Sequence, residues 1–142
     1  MNLSHSESHH RVIIIDQEYK SLEIFRKLLS KHPRVEVTGG FQSAGSALNA
    51  IAQDPPDVVL VDAELPEVTG FEMMDRIRAL AADPLIVLTS FTSDYAVKSM
   101  HKGSFDYLLK PVDPWEIHEM VNRLGYYCRS KSRGNLWENE SE

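Results

Sequence analysis

The sequence has one cysteine, no long hydrophobic run and no cluster of basic residues. Cys128 has no second cysteine with which to form an intrachain disulfide. The longest apolar runs are about five residues, whereas a membrane-spanning helix needs about 20. The 15 lysines and arginines face 21 acidic residues, for a formal net charge of −6, which argues against a nucleic-acid-binding surface. The first ten residues lack the hydrophobic segment of a signal peptide. These absences predict a cytoplasmic protein that neither crosses a membrane nor binds nucleic acid directly.

Length and composition favour one soluble globular domain. The chain has 142 residues, of which 42% are apolar and 25% charged, both ordinary for such a domain. A chain of this length supports one domain with a proper core, plus short tails. We expect a disordered polar tail over residues 1–10, a single domain over residues 11–125, and a polar, acidic C-terminal tail over residues 126–142.

Four short runs of β-branched residues and leucine each end on a polar side chain. Runs of this kind, apolar throughout rather than alternating, are typical of strands buried in a parallel sheet. The polar residues at their ends are Asp16, Asp62, Thr89 and Lys110. In open α/β sheets the ligand site lies at the carboxyl ends of the strands. The pattern therefore predicts one crevice with two carboxylates, a hydroxyl and an ammonium, which suits Mg²⁺ and a phosphoryl group.

The periodicity predicts five strands that alternate with five helices. We expect strands at residues 11–16, 35–41, 58–62, 85–89 and 105–109. Helical spacing predicts helices at residues 18–32 and 43–53, from about 70, at 94–102, and from Pro114 to about Gly125. This alternation indicates an α/β fold with a single doubly wound, five-stranded parallel sheet and right-handed crossovers.

Over about residues 11–125 the chain resembles the receiver domain of bacterial two-component response regulators, the CheY-like family. The matching segments are residues 13–18, 59–66 with Gly70, 87–90 and 106–111. Residues 40–44, 95–96 and 105–111 are most similar to receivers attached to LytTR-type DNA-binding domains. The resemblance implies a (βα)5, flavodoxin-like fold with strand order 2-1-3-4-5. Only about 17 residues follow Gly125, so we expect either a single-domain regulator or part of a larger protein.

The resemblance also implies roles for individual residues. Asp62 would accept a phosphoryl group from a sensor histidine kinase or phosphotransfer protein. Thr89 and Lys110 would bind that group, and Tyr107 would switch with it, changing the surface of the fourth helix, fifth strand and fifth helix. That surface could also form a homodimer. The implied Mg²⁺ ligands are Asp16, Asp62, the backbone carbonyl of Glu64 and, more weakly, Gln17. Structural roles fall to Pro66, Gly70 and Pro111, with a cis Lys110–Pro111 bond.

Position 17 departs from the family pattern, because receivers normally carry a second acid where this chain has Gln17. A unit charge pair about 4 Å apart attracts by about 4 kcal/mol at an effective dielectric constant of about 20, before desolvation is subtracted. We therefore predict weaker Mg²⁺ binding and slower phosphorylation. Glu64 and Ser90 are further departures, and we hypothesise that they crowd or charge the entrance to the site.

Two alternative functions share these residues. The first is a pseudo-receiver, which would use the same fold for phosphorylation-independent interaction or dimerisation, with Gln17 as its mark. The second is a haloacid-dehalogenase-like phosphatase with Asp16 as nucleophile and Glu18 as the acid. Asp16 could also simply cap the first helix. His5, His9 and His10 loosely suggest a metal site, although a disordered tail explains them better.

Overall fold

The computed structural model describes the backbone of residues 10–80 and 83–141, and side chains as far as residue 128. Strands and helices alternate throughout, as the sequence predicts. The elements are β1 His10–Ile15, α1 Tyr19–Ser30, β2 Val35–Phe41, α2 Ala44–Gln53, β3 Val58–Asp62, α3 Gly70–Arg78, β4 Leu85–Ser90, α4 Ala96–His101, β5 Asp106–Leu109 and α5 Pro114–Ser141.

The five strands form one parallel sheet in the order β2-β1-β3-β4-β5, which confirms the predicted fold class and strand order. Helices cover both faces, so the central strands are buried on both sides. Every residue of β3 is buried, and so are the last four residues of β1. This double burial is the physical reason that their sequences are uniformly apolar.

The sheet separates two hydrophobic cores. One lies under α2 and α3, where Ile51, Met73, Met74 and Ile77 are fully buried. The other lies under α1 and α5. Its largest helical contributions come from Phe25, Leu29, Ile117, Met120 and Leu124. The short helix α4 buries only Ser99, so it is held far less by apolar packing than the other helices.

The strand register brings the polar strand ends to one edge of the sheet. Asp62 of β3 pairs with Thr89 of β4, and Ile15, just before Asp16, pairs with Val61. Ser90 pairs with Leu109, so Lys110 follows at the same edge. The strand order reverses between β1 and β3, and a crevice opens at such a point in α/β sheets. Asp16 and Asp62 therefore flank this crevice.

Some predicted boundaries are wrong. Helix α4 begins at Ala96 rather than residue 94, because the hydroxyl oxygens of Ser90 and Thr92 accept backbone N–H groups and form turns there instead. Helix α5 does not end at Gly125 but continues to Ser141. A glycine inside a helix costs only about 1 kcal/mol, so Gly125 does not have to end α5. The glycine with the positive φ that is typical of a helix end is Gly103, which follows α4.

The predicted tails are only partly visible. Of the N-terminal tail, residues 1–9, which include His5 and His9, lie outside the described residues, whereas His10 begins β1. The domain boundary predicted at residue 125 falls inside continuous helix and stays a prediction. Among the described residues, no helix combines the length and apolarity that crossing a membrane requires.

Candidate functional site

Asp16, Asp62 and Lys110 meet at the carboxyl edge of the sheet, as predicted. The Lys110 ammonium donates to Asp16 Oδ2 at 2.9 Å and to Asp62 Oδ2 at 3.3 Å. The three side chains are 4% (Lys110), 1% (Asp16) and 6% (Asp62) exposed. Residues from the ends of three strands thus form one buried charged cluster with a single cation for two carboxylates.

The second oxygen of each carboxylate is also fixed. Asp16 Oδ1 accepts the backbone N–H of Glu18 at 2.9 Å, and Asp62 Oδ1 accepts that of Glu64 at 2.9 Å. Each carboxylate thus closes a turn with the residue two positions later. The N-cap position of α1 belongs to Glu18, which makes no side-chain cap, so the reading of Asp16 as a helix cap is wrong.

Burial raises the pKa of Asp62 above its ordinary value. The Glu64 N–H and the Lys110 ammonium oppose this shift because they stabilise the carboxylate, while the nearby Asp16 carboxylate adds to it. Keeping Asp62 ionised therefore costs free energy, because the site is buried and has more negative than positive charge. Such a site favours a further cation.

The turn after Asp62 depends on a close approach of α3. The N–H of Ala63 donates to the Thr89 carbonyl at 2.8 Å, and the N–H of Gly70 donates to the Ala63 carbonyl at 2.9 Å. A Cβ on Gly70 would lie 2.7 Å from Ala63 Cα, nearer than side chains can come. Gly70 is thus needed where the sequence predicts a structural glycine. Pro66 lies exposed in the same loop.

Thr89 lies beside Asp62 across the sheet. The residue is 2% exposed and pairs with Asp62 across the sheet. Within the described part of the chain, its hydroxyl forms no hydrogen bond. Ser90 is also buried, but its Oγ accepts the N–H of Thr92, so it lies inside the turn rather than at the entrance, contrary to the prediction. The Tyr107 hydroxyl donates to the Thr92 carbonyl.

Lys110 is held by its backbone and by an aromatic ring. Its N–H donates to the Ser90 carbonyl at 2.7 Å, and the Lys110–Pro111 bond is cis, as predicted. Its ammonium lies 4.7 Å from the centre of the Phe91 ring, a cation–π contact. Phe91 is 60% exposed at the mouth of the site, and the sequence reasoning missed it. Its position directly after the polar end of β4 was the available signal.

Gln17 contacts the site through its amide nitrogen, and weak metal coordination by its amide oxygen stays a prediction. Gln17 Nε2 donates to the backbone carbonyl of Glu64 at 3.0 Å. The backbone carbonyl of Gln17 accepts Gln42 Nε2 at 3.0 Å. The opposite amide orientation would place two oxygens together, so the nitrogen belongs at Glu64. Gln17 therefore occupies the carbonyl that the resemblance assigns to Mg²⁺.

The site opens into a cleft of about 390 Å³. Its lining consists of Gln17, Glu18, Asp62, Glu64, Phe91 and Lys110. No group of three or more His, Cys, Asp or Glu side chains in the described ranges is placed to hold a metal. Mg²⁺ needs fewer, since it usually binds through one or two carboxylates together with phosphate and water. Asp16, Asp62 and the Glu64 carbonyl fit such an ion once the Gln17 side chain moves away from the Glu64 carbonyl.

Strand order and site together define the class of flavodoxin-like α/β domains with an acidic site at the carboxyl edge of the sheet. The family model of the response regulator receiver domain matches residues 12–122. The chain therefore belongs to the receiver-domain family of two-component response regulators. Family membership gives no support to the phosphatase alternative, and receiver domains generally bind Mg²⁺ for phosphorylation.

Curated relatives are response regulators about twice as long. An uncharacterized response regulatory protein of Vibrio parahaemolyticus is 36% identical over 112 residues, covering 79% of this chain and 46% of that protein. The transcriptional regulatory protein BtsR of Salmonella typhimurium is 32% identical over 114 residues, covering 80% and 47%. The chain thus spans about half the length of these relatives.

Solved receiver domains share the fold. The response regulatory domain of protein mrkE from Klebsiella pneumoniae superposes with a TM-score of 0.77 at 25% identity, covering 84% of this chain and 98% of that domain. The receiver domain of the response regulator NarL from Mycobacterium tuberculosis gives a TM-score of 0.75 at 25% identity, with coverage of 84% and 98%.

Proposed function

We propose that this receiver domain accepts a phosphoryl group on Asp62 from a sensor histidine kinase or a phosphotransfer protein, with Mg²⁺ as cofactor. Phosphorylation then changes the surface formed by α4, β5 and α5, and this surface controls an output domain or a separate partner. The observation that carries the proposal is the buried cluster in which Lys110 contacts both Asp16 and Asp62.

The cluster supports a nucleophilic role for Asp62. A carboxylate oxygen of Asp62 attacks the phosphorus in line, the P–N bond of the phosphohistidine breaks, and its electron pair leaves with the imidazole. The Lys110 ammonium is near enough to move from the carboxylate to a phosphoryl oxygen as a point charge. Thr89 pairs with Asp62 across the sheet, and its buried hydroxyl donates to another phosphoryl oxygen once the group arrives.

Asp16, Asp62 and the Glu64 carbonyl are the groups that would hold Mg²⁺. The cation supplies positive charge that offsets the repulsion between the Asp62 carboxylate and the incoming phosphoryl group. Gln17 opposes this binding in two ways: it lacks the charge of an acid, and its Nε2 already donates to Glu64 O. Weak Mg²⁺ binding follows.

The relatives suggest the type of output. BtsR is named a transcriptional regulatory protein, and this chain matches slightly less than half of it. We propose that this receiver regulates transcription, with DNA contacted by an output domain of the LytTR type or by a separate partner. Tyr107 and the homodimer surface of α4, β5 and α5 serve as the link, and a cytoplasmic location suits this role.

Mass spectrometry of the intact protein tests the proposal. With acetyl phosphate and Mg²⁺, we expect the wild type to gain the mass of one phosphoryl group and Asp62→Asn to gain none. The matched control, Asp94→Asn, removes an exposed carboxylate from the loop before α4 and should be phosphorylated normally. No gain by the wild type would contradict the proposal.

The pseudo-receiver alternative is favoured by one observation, the Gln17–Glu64 hydrogen bond. If this bond replaces the metal permanently, the protein will neither be phosphorylated nor respond to beryllofluoride with Mg²⁺. Unchanged amide chemical shifts on addition of beryllofluoride, together with no mass gain, would establish that alternative.

A further inference from the structure

Tyr95 and Glu64 form a contact across the mouth of the cleft. Glu64 lies in the loop after β3, two residues beyond Asp62, and Tyr95 precedes the first residue of α4. The Tyr95 hydroxyl donates to Glu64 Oε2 at 3.1 Å. The two residues are 31 positions apart in the sequence, so the bond joins two separate segments at the site entrance.

On one side, this contact connects to the phosphoacceptor. The Glu64 N–H donates to Asp62 Oδ1 at 2.9 Å, and its carbonyl accepts Gln17 Nε2 at 3.0 Å. The peptide groups of Glu64 are thus bound directly to the Asp62 carboxylate and to the rim of the site. A displacement of the Asp62 carboxylate oxygen therefore also moves the Glu64 backbone.

On the other side, the contact connects to α4. The Tyr95 carbonyl accepts the N–H of Ser99 at 2.9 Å, a bond of the first turn of α4. The Tyr95 ring packs edge-on against Phe71, with centroids 6.0 Å apart. Since α4 buries only Ser99, polar contacts contribute more to its position than they do for the other helices.

The charge of Glu64 makes the contact responsive to the site. Its carboxylate lines the same cleft as Asp62, and its hydrogen bond raises the pKa of Tyr95, so the phenol stays a neutral donor. With Mg²⁺ bound both before and after the transfer, a phosphoryl group on Asp62 adds negative charge to the cleft. Repulsion between that charge and the Glu64 carboxylate pulls against the bond to Tyr95.

We propose that Tyr95 is a positioning residue that holds the Glu64 carboxylate at the rim of the cleft, and that negative charge arriving at Asp62 releases this hold and loosens α4. This inference rests on the proposed function, because it needs Asp62 to be loaded. It adds a route from the site to α4 through Glu64 and Tyr95, separate from Thr89 and Tyr107.

Amide hydrogen exchange of α4 tests the proposal, measured in Mg²⁺ with and without beryllofluoride as the probe. In the wild type, loading should speed exchange of the Ser99 and Lys102 amides about tenfold, since a hydrogen bond to a charged group is lost. Tyr95→Phe keeps the ring against Phe71 but lacks the hydroxyl. Its exchange should be fast before loading and change less than about twofold on loading.

Glu64→Gln separates charge from hydrogen bonding. Its amide oxygen can still accept the Tyr95 hydroxyl, so exchange without beryllofluoride should match the wild type. Without the charge, loading should no longer speed it. A purely structural contact would instead let Glu64→Gln respond to loading like the wild type, and that result would overturn the inference.

Parallel ¹⁹F NMR of bound beryllofluoride shows separately whether Asp62 is loaded. If Asp62 takes up no beryllofluoride, the proposed function fails and this inference falls with it. If Asp62 is loaded but exchange in α4 does not change, only the inference is overturned. Equal exchange in Tyr95→Phe and wild type before loading would overturn it as well.

Discussion

At the scale of single residues, Asp62 combines burial with charge, and the two have opposite effects on stability. Its carboxyl is protonated in both the folded and the unfolded chain well below the ordinary pKa of 3.8. Because burial raises the pKa in the folded state, this group favours folding at low pH. That contribution is lost as the pH rises through the raised pKa. At neutral pH the ionised Asp62 therefore destabilises the fold.

We predict that Asp62→Asn is more stable than the wild type at pH 7–8. The amide can keep the bond to the Glu64 N–H, and one ammonium then faces one carboxylate. The melting temperature should rise by about 2–6 °C, as about 1 kcal/mol produces in a domain of this size, and the difference should shrink toward pH 4. Thermal melts in EDTA measure it.

Asp54→Asn is the control of opposite sign. Its hydrogen bond from Arg11 lowers the pKa of Asp54, so that carboxylate favours folding as the pH rises, and its loss should not stabilise. An Asp62→Asn protein that melts below the wild type at pH 7–8 would show that the Lys110 contact outweighs burial.

Gln17 is the second residue whose effect can be measured, in this case on Mg²⁺ affinity. Replacing it in Gln17→Asp adds a negative charge and frees the Glu64 carbonyl from Nε2. We expect the Mg²⁺ dissociation constant to fall about tenfold, which corresponds to about 1.4 kcal/mol. Calorimetric titration with Mg²⁺ alone measures it, and Gln53→Asp, at the end of α2, controls for net charge. An unchanged constant would remove Gln17 from the account of metal affinity.

At the scale of secondary structure, the start of α3 is the element that fixes the phosphoacceptor turn. Thr69 and Glu72 form a capping box at its first turn, and Gly70 lets it approach Ala63. An added methyl group at Gly70 meets backbone on one side and Leu88 on the other, so neither can move cheaply. The position of Asp62 thus depends on a helix that contributes no side chain to the site.

We predict that Gly70→Ala destabilises the domain by about 1–3 kcal/mol, the usual cost of overpacking a core. Gly45→Ala is the matched control: its methyl group meets nothing within 4 Å and lies in α2, so we expect it to stabilise by about 0.5–1 kcal/mol. Urea denaturation of both variants gives the comparison. Equal stabilities would mean that α3 can shift away from the β3–α3 loop without cost.

The elements that the sequence predicts well are those with buried apolar strands. The runs ending in Asp16, Asp62 and Lys110 give both the sheet and the convergence of charges, since parallel register brings their ends together. The contacts of Phe91 and Tyr95 are not predictable in this way, because they depend on the path of the loop after β4. The sequence predicts the end of α5 at Gly125, but Gly125 is helical, because a glycine by itself does not end a helix.

At the scale of the whole molecule, the surface of α4, β5 and α5 carries exposed apolar side chains, among them Val97 at 67% and Met100 at 70% exposure. Exposed large apolar groups at this density on one short helix favour contact with another protein. We take a second copy of this chain as the partner, because in a symmetric pair each copy covers the same apolar surface of the other.

We predict that loading with beryllofluoride and Mg²⁺ promotes dimerisation and that Met100→Glu prevents it. The reason is electrostatic: in a symmetric pair, each copy would bring its new carboxylate to a surface that loses water on association. Sedimentation velocity over a range of protein concentrations measures the dimer. Ile24→Glu, which changes an exposed apolar residue on α1, should dimerise like the wild type. If both variants remain dimers, pairing uses another surface; if only Ile24→Glu becomes a monomer, that surface includes α1.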